Sequence, residues 1–405
     1  MQEQPLPEGW EFLTLENCVE AIIDYRGKTP KKSILGIPLI TTKLIKNGHI
    51  TTPDEYILPE DYDEWMRRGI PQKGDVVFTT EGPLGEVAQL DGSKIALAQR
   101  IITLRGNPKI LDNEYLKWLL RSEFVQKQLK PKSTGSTVTG IRQSELRKIV
   151  LLIPPLPIQH QIVALLEQAE AMKRQRQEAD ALTGALLHSV FFEMFGDPVR
   201  NEKGWPLKNI KEFSIPGKNA IKAGPFGSSL KKECYTKTGF KIYGQEQVIK
   251  DDLQFGNYYI SQEKYEELIN YSVQASDILI SLVGSYGKIS IVPESFEQGI
   301  INPRLMKISL NKELVLPIFF KHLFLTDGIL NQVEELSHGG TMDIINVGIV
   351  KQLKFPIPPL ALQQQFARIV QDVERIREQQ VASGRQIEGL CDGLMQRAFA
   401  KDLIA

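Results

Sequence analysis

Apolar side chains recur at alternating steps of three and four along two stretches of this chain. The first stripe is Ile162, Leu165, Ala169, Met172, Arg176, Ala179, Thr183, Leu186 and Val190; the second is Phe366, Ile369, Val373, Ile376, Gln380, Ser383, Ile387, Leu390 and Leu394. This spacing gives a helix one apolar face and lets two such helices wrap together as a coiled coil. The second stripe repeats the first 204 positions later; both have weak polar centres, Arg176 with Thr183 and Gln380 with Ser383, and the matched residues Arg176 and Gln380 read as register devices. Equal length and register favour pairing of the two helices with each other over packing of each on its own globular domain. About 38 residues at 1.5 Å each predicts a rod of roughly 55 to 60 Å. An antiparallel pair would carry the flanking domains at opposite ends of it.

Outside the helices the pattern changes to short β-rich runs bounded by Gly, Pro and Asp, such as GDVVFTT, RIITLR, SDILISLV and RLMKISL. Helical stretches, NEYLKWLLRSEFVQKQL and LPIFFKHLFLTDGILNQVEEL, follow them. These pieces recur too. Trp10 is matched by Trp205, Asp75 by Asp277, Gly82 by Gly284 and Gly85 by Gly287, Arg100 by Arg304, and IPPLPIQHQ by IPPLALQQQ. The offset grows from 195 to 204 in small steps, as when loops vary on a shared framework. A unit of about 200 residues is too long for a solenoid repeat, so the chain reads as a duplication. Prolines 154, 155 and 157, and 356, 358 and 359, mark a stiff hinge before each helix. The predicted fold class is α/β (α+β): two duplicated globular domains joined by two long helices in an antiparallel coiled coil. The expected boundaries are 1–155, 156–197 for the central helix, 198–358, and 359–405 for the C-terminal helix.

At 405 residues, with 42% hydrophobic and 24% charged residues, the chain has the length and composition of a multi-domain globular protein. No apolar run approaches 18 residues and the N-terminus lacks a signal-peptide pattern, which predicts a cytoplasmic location. Cys18, Cys234 and Cys391 stand apart, without CxxC spacing, and read as buried thiols. The net charge is zero, so any nucleic-acid binding has to come from local patches. Tyr25 to Ile50 holds six Lys or Arg and no acid, Trp205 to Lys250 nine Lys against three Glu, and Lys127 to Lys148 six basic residues against Glu145.

Catalytic signatures are missing. GKT at Gly27 lacks the earlier glycine of a phosphate-binding loop, Ile22 standing in its place. IPPL has an apolar residue where an amine-methylating tetrad needs an acceptor, Pro53-Asp54 has no nuclease partner element, and the five His form no local metal or triad motif. What remains suits reading DNA: loops of Gly, Ser, Thr and Lys (YRGKTPKK, KSTGSTVTGIRQ, KAGPFGSSLKK, YGQEQ and SHGGTMD) that could hold phosphates and reach base edges.

GPFGSSL at Gly224, GNYYISQEKYEEL, SDILISLVGSYGKISIVPE, INPRL, the twice-used IPPLxxQxQ and FFEMFGDP from Phe191 to Pro198 together resemble one family, the specificity (S) subunits of type I restriction-modification systems. The resemblance spans essentially the whole chain. It implies two target recognition domains similar in fold to the DNA-reading domain of certain adenine methyltransferases. It also implies a coiled coil that sets the gap between half-sites and docks two methyltransferase (M) subunits. Those partners would use S-adenosylmethionine to methylate adenine at N6, and restriction (R) subunits would use ATP and Mg; no cofactor is expected in this chain and no catalytic residue. The loops and the carry-over by position place the double-stranded DNA contacts on Arg26, Lys28, Lys31, Lys32, Lys132, Ser133, Thr134, Ser136, Thr137 and Arg142 in the first domain. In the second they fall on Lys222, Ser228, Lys231, Lys232, Tyr243, Gln245, Ser285, Tyr286 and Thr341. The first copy lacks a GPFGS element and has EGPLG where the second has VGSYG, which predicts different half-sites. Two other classes compete: a coiled-coil scaffold without DNA specificity, and a methyltransferase carrying its own recognition domain.

Overall fold

The computed structural model describes residues 6–25, 29–133, 139–226, 229–283, 287–337 and 345–399. The chain forms two compact units, Met1–Glu178 with Gln380–Ala405, and Ala179–Gln379. The first half of the chain begins β1 (Glu11–Thr14), α1 (Leu15–Cys18), β2 (Val19–Asp24), β3 (Ile37–Ile40), β4 (Ile45–Lys46), β5 (His49–Ile50), β6 (Tyr56–Ile57) and α2 (Tyr62–Trp65). It continues β7 (Val76–Thr79), β8 (Val87–Gln89), β9 (Ala96–Leu97), β10 (Ile101–Gly106), α3 (Asn113–Arg121), α4 (Glu123–Lys132), α5 (Gln143–Leu146), β11 (Val150–Ile153) and the long α6 (Leu156–Phe195). The second repeats the plan: β12 (Leu207–Asn209), β13 (Ile221–Ala223), β14 (Phe240–Tyr243), α7 (Gln245–Lys250), β15 (Tyr259–Ile260), α8 (Gln262–Glu267), β16 (Ile278–Ser281) and β17 (Ile289–Ile291). Then come β18 (Gly299–Ile301), β19 (Leu305–Ile308), α9 (Pro317–Phe324), α10 (Asp327–Ser337), α11 (Val347–Gln352), β20 (Lys354–Pro356) and α12 (Leu360–Phe399).

The topologies coincide. A four-stranded antiparallel sheet runs β2-β10-β7-β8 in one head and β13-β19-β16-β17 in the other. A smaller mixed sheet runs β6-β3-β9 or β15-β14-β18, and a two-stranded ribbon, β1-β11 or β12-β20, closes each head before its long helix. The central strands are apolar on both faces, Val76–Thr79 and Ile278–Ser281 being buried throughout, because helices cover one side of the large sheet and the small sheet the other. Gly36 and Gly239 occupy the same place at the start of the small sheet's central strand. Their φ angles are 131° and 133°, and a Cβ at either would lie 2.2 Å from the carbonyl oxygen of Ile57 or Ile260, so only glycine fits.

Two expected helices are each broken in two. NEYLKWLLRSEFVQKQL divides at Ser122, whose hydroxyl accepts from Val125 N–H to start α4, and LPIFFKHLFLTDGILNQVEEL divides at Leu325 and Thr326, whose hydroxyl donates to Leu323 O at 2.7 Å. Short hydroxyl side chains offer the backbone an alternative partner where the next helical bond would form. The proline clusters are less uniform than expected: Pro356 ends β20 and Pro157 sits within the first turn of α6, where a missing N–H costs nothing. Cys18 is buried, but Cys234 and Cys391 are half-buried.

Each long helix has 40 residues and crosses from one unit to the other. Within the first unit, the Cys391 thiol meets the Ala169 carbonyl at 3.5 Å and Gly384 lies against Arg176, so numbers rise on α6 as they fall on α12. Within the second, Arg377 donates to Thr183 O at 3.4 Å while Phe366 packs on Phe191 and Phe195, again antiparallel. Pairing between helices and packing on a head both occur. Ile162, Val163 and Leu166 join Ala398 and Phe399 in the first head's core, and Phe366, Val370 and Val373 join Leu187, Phe191 and Phe195 in the second's.

The seam is phased differently from the predicted stripe. Ile162, Ala169, Phe366 and Val373 are buried, and Val190, Ile369, Ile387 and Leu394 half-buried, but Leu165, Met172, Leu186, Ile376 and Leu390 are exposed. Leu166, Leu187 and Val370 are buried in place of Leu165, Leu186 and Ile369's expected share, and Cys391 turns inward beside Leu390. After Ile162, Thr183, Phe366 and Ile387 apolar residues stand at both the third and fourth positions, so the stripe alone leaves the phase open there, and at these four places the residue at the step of four is the more buried.

Candidate nucleic-acid interface

The IPPL repeat explains how each head is held on its helix. Gln159 and Gln363, the first glutamines of the motif, are fully buried. The Gln159 side chain accepts from Asp112 N–H at 2.9 Å and donates to the carbonyls of Ile110 at 2.7 Å and Pro154 at 2.8 Å. Gln363 accepts from Leu316 N–H at 2.9 Å and donates to Leu314 O at 3.0 Å and Pro358 O at 2.9 Å. One amide thus ties the loop before α3 or α9 to the helix start, with all its stronger valences used. In the first unit charged groups add to the clamp: Glu167 accepts from Lys117 at 2.5 Å and Trp118 Nε1 at 3.0 Å, and Arg121, stacked on Trp118, meets Glu170 at 2.9 Å. Burial pushes the Glu167 carboxyl up, but the contacts with Lys117, Trp118 and Arg121 together outweigh it and hold its pKa below the ordinary value.

Of the loops expected to meet DNA, YRGKTPKK and KAGPFGSSLKK follow the edge strands β2 and β13 in the chain, and acids balance part of the charge near the first. Lys32 pairs with Glu55 at 2.9 Å, and Lys43 with Asp54 at 3.0 Å and Glu55 at 3.4 Å, so the acid-free run of the sequence acquires acids in space. Lys31 and Lys32 remain exposed. Lys31 borders a cleft of about 490 Å³ formed with Tyr25, Thr29, Trp65, Arg67 and Arg68. Arg68 donates to Asp24 O at 2.6 Å and Trp65 Nε1 to Leu97 O at 2.9 Å, fixing an aromatic ring and a guanidinium at its wall. Trp65, Arg67 and Arg68 were not among the expected contacts; an aromatic beside two arginines in DEWMRRG is the signal that marks them. Elsewhere in this head, Lys132 donates to Lys148 O at 3.1 Å and Ser133 to Lys130 O at 2.7 Å, which finishes α4, while Arg142 is exposed at the start of α5.

In the second head Lys231 and Lys232 are exposed after the GPFGSSL motif. Lys222 is half-buried, donates to Asn219 at 2.8 Å and lies 4.6 Å above the Tyr271 ring. Its cross-strand partner is Lys307, a like charge directly opposite. Burial lowers the pKa of Lys307 and raises that of Asp277, 3.8 Å away, while Ser309 donates to Asp277 at 2.5 Å. Two of the expected contacts are engaged within the head. Tyr243 is 1% exposed and its hydroxyl donates to Glu297 O at 2.6 Å, with burial raising its pKa, which makes it part of the core. Gln245 is half-buried and its amide N–H is spent on Val283 O. Lys241 is likewise buried, held by Glu297 at 2.5 Å, so the basic run around it overstates the surface charge. Arg26, Lys28, Thr134, Ser136, Thr137, Ser228, Ser285, Tyr286 and Thr341 lie outside the described residues.

Among the described residues no group of His, Cys, Asp or Glu could hold a metal ion, and no helix is long and apolar enough to cross a membrane. Two heads of one topology with different loop chemistry, each seated on paired helices, define a duplicated recognition protein. The family model for the type I restriction modification DNA specificity domain matches residues 7–180 and 225–383, and the chain belongs to that family. A relative in Methanocaldococcus jannaschii is 24% identical over 397 residues, 95% of this chain and 91% of its own length. The type I restriction enzyme StySPI specificity subunit of Salmonella potsdam is 21% identical over 440 residues, 100% of this chain and 91% of the relative. The fold matches a chain solved in work on complex assembly and conformational transition of the type I R-M system, with TM-score 0.64, 20% identity and coverage of 99% and 100% of the two chains. It also matches the type I restriction-modification S subunit from M. genitalium, with TM-score 0.57, 15% identity and 98% coverage of both.

Proposed function

We propose that this chain is the non-catalytic DNA-specificity subunit of a cytoplasmic type I restriction-modification complex, and that it reads an asymmetric site in two parts. The observation that carries this reading is the duplication itself: two heads of one topology carry different side chains in corresponding loops, Thr29 to Lys32 in one against Phe226 and Ser229 to Lys232 in the other. Lysines and arginines would hold phosphates and set register, while loop polar and aromatic groups discriminate bases. Bond-making falls to partners: two M subunits that bind S-adenosylmethionine and methylate adenine at N6 after extruding it from the duplex, and R subunits that use ATP and Mg. The exposed Leu165, Met172, Leu182, Leu186, Ile376 and Leu390 support docking of such partners along the helices, since apolar side chains left in water on a long coil mark a contact surface. The coil would set the gap between half-sites.

Mapping methylated adenines across the host genome with and without this gene tests the reading. Loss of one bipartite motif on deletion is the expected result. An unchanged methylation pattern, with salt-insensitive DNA binding by the purified complex, would instead favour a protein scaffold.

A further inference from the structure

The GPFGSSL motif has a structural role only in part. Gly224 passes so close to the INPRL segment that a Cβ would sit 1.8 Å from Asn302 O, and its N–H donates to Leu305 O at 2.8 Å. Asn302 N–H in turn donates to Tyr243 O at 2.8 Å, and Pro225 is buried. The base of the loop is therefore pinned to the core of the second head. Directly after it, Phe226 is 84% exposed, and its carbonyl accepts from Ser229 N–H at 2.8 Å. The other exposed aromatics, Phe12 and Tyr258, each lie against a second ring, at 6.1 Å and 6.2 Å; among the described residues Phe226 has no ring partner. Lys231 and Lys232 are exposed a few residues on, with Glu233 as the one acid of that stretch. At the corresponding strand end of the first head the aromatic is Tyr25, buried, with its hydroxyl bonded to Gly69 O at 2.5 Å.

We infer that Phe226 is a wedge that enters the base stack of the second half-site, and that the first head has no aromatic wedge at this point. An apolar ring held in water on a rigid base has nothing to contribute to folding, whereas between base pairs it stacks and opens a step. The adjacent lysines would hold the flanking phosphates and bring the ring to the groove. The inference rests on the proposed DNA-reading function and deepens it, assigning one residue of one head to the distortion of its half-site.

The test uses the full complex with M subunits and duplexes carrying 2-aminopurine at non-methylated positions of either half-site. The wild-type complex should brighten the probe in the second half-site; Phe226→Ala should abolish that rise and weaken binding by about tenfold or more, and Phe226→Trp should restore both. Signals in the first half-site and the melting temperature of the free chain should not move. An absent rise in the wild type, an unchanged rise with Phe226→Ala, or loss of M-subunit assembly instead would overturn the wedge. Failure of the broader reading shows separately, as absence of any gene-dependent methylated motif.

Discussion

Gln159 and Gln363 show how one side chain can be indispensable without touching a ligand. Each satisfies one buried N–H and two buried carbonyls. Replacing either by Ala leaves those three backbone groups without partners, at a cost of about 1–3 kcal/mol, read as a melting temperature lower by several degrees. Glu, although isosteric, should be at least as harmful at neutral pH, because it would face two carbonyl oxygens with a buried negative charge. A Glu variant that melts like the wild type would show that water or a shifted backbone meets those groups instead. The repeated glutamine was legible as a motif, and its clamp was not, because two of its three partners are backbone atoms 47 to 49 residues away. Residue-scale surface chemistry was the least legible. Tyr243 and Lys241 sit in a stretch that reads as a basic loop, yet they belong to a strand whose register turns them inward against Glu297.

At the scale of elements, both apolar stripes fall inside long helices, Leu156–Phe195 and Leu360–Phe399, because a helical repeat sustained over about eight turns has no competing reading. It did not settle which side of the stripe faces inward, since Leu165 and Leu166, like Leu186 and Leu187, offer equal apolar area one residue apart. The difference has an energetic signature. Leu166→Ala and Leu187→Ala, at sites 2% and 5% exposed, should each cost about 2–5 kcal/mol. Leu165→Ala and Leu186→Ala, at 43% and 44%, should each cost under about 1 kcal/mol. Equal losses across the four variants in urea unfolding would reject the phase described. The breaks at Ser122 and at Leu325 and Thr326 escaped the same periodic reading because apolar spacing continues through them while the backbone does not.

For the molecule as a whole, duplication was the most legible property, because it depends on comparing the chain with itself and on no propensity. Its functional consequence is modularity. Each head has its own sheets and cores, closed by a two-stranded ribbon ahead of its helix. Exchange of residues 1–155 for the corresponding domain of another family member should therefore change one half of the methylated motif and leave the other intact. The helices make the complementary prediction. Seven residues added to each at facing positions preserve the seam's phase and lengthen the coil by roughly 10 Å, the rise of about three base pairs. The two half-sites should keep their bases while the preferred gap grows by about that amount. If the gap is unchanged, the coil is not the ruler; if both half-sites change identity, base reading depends on how the heads are presented as well as on their loops.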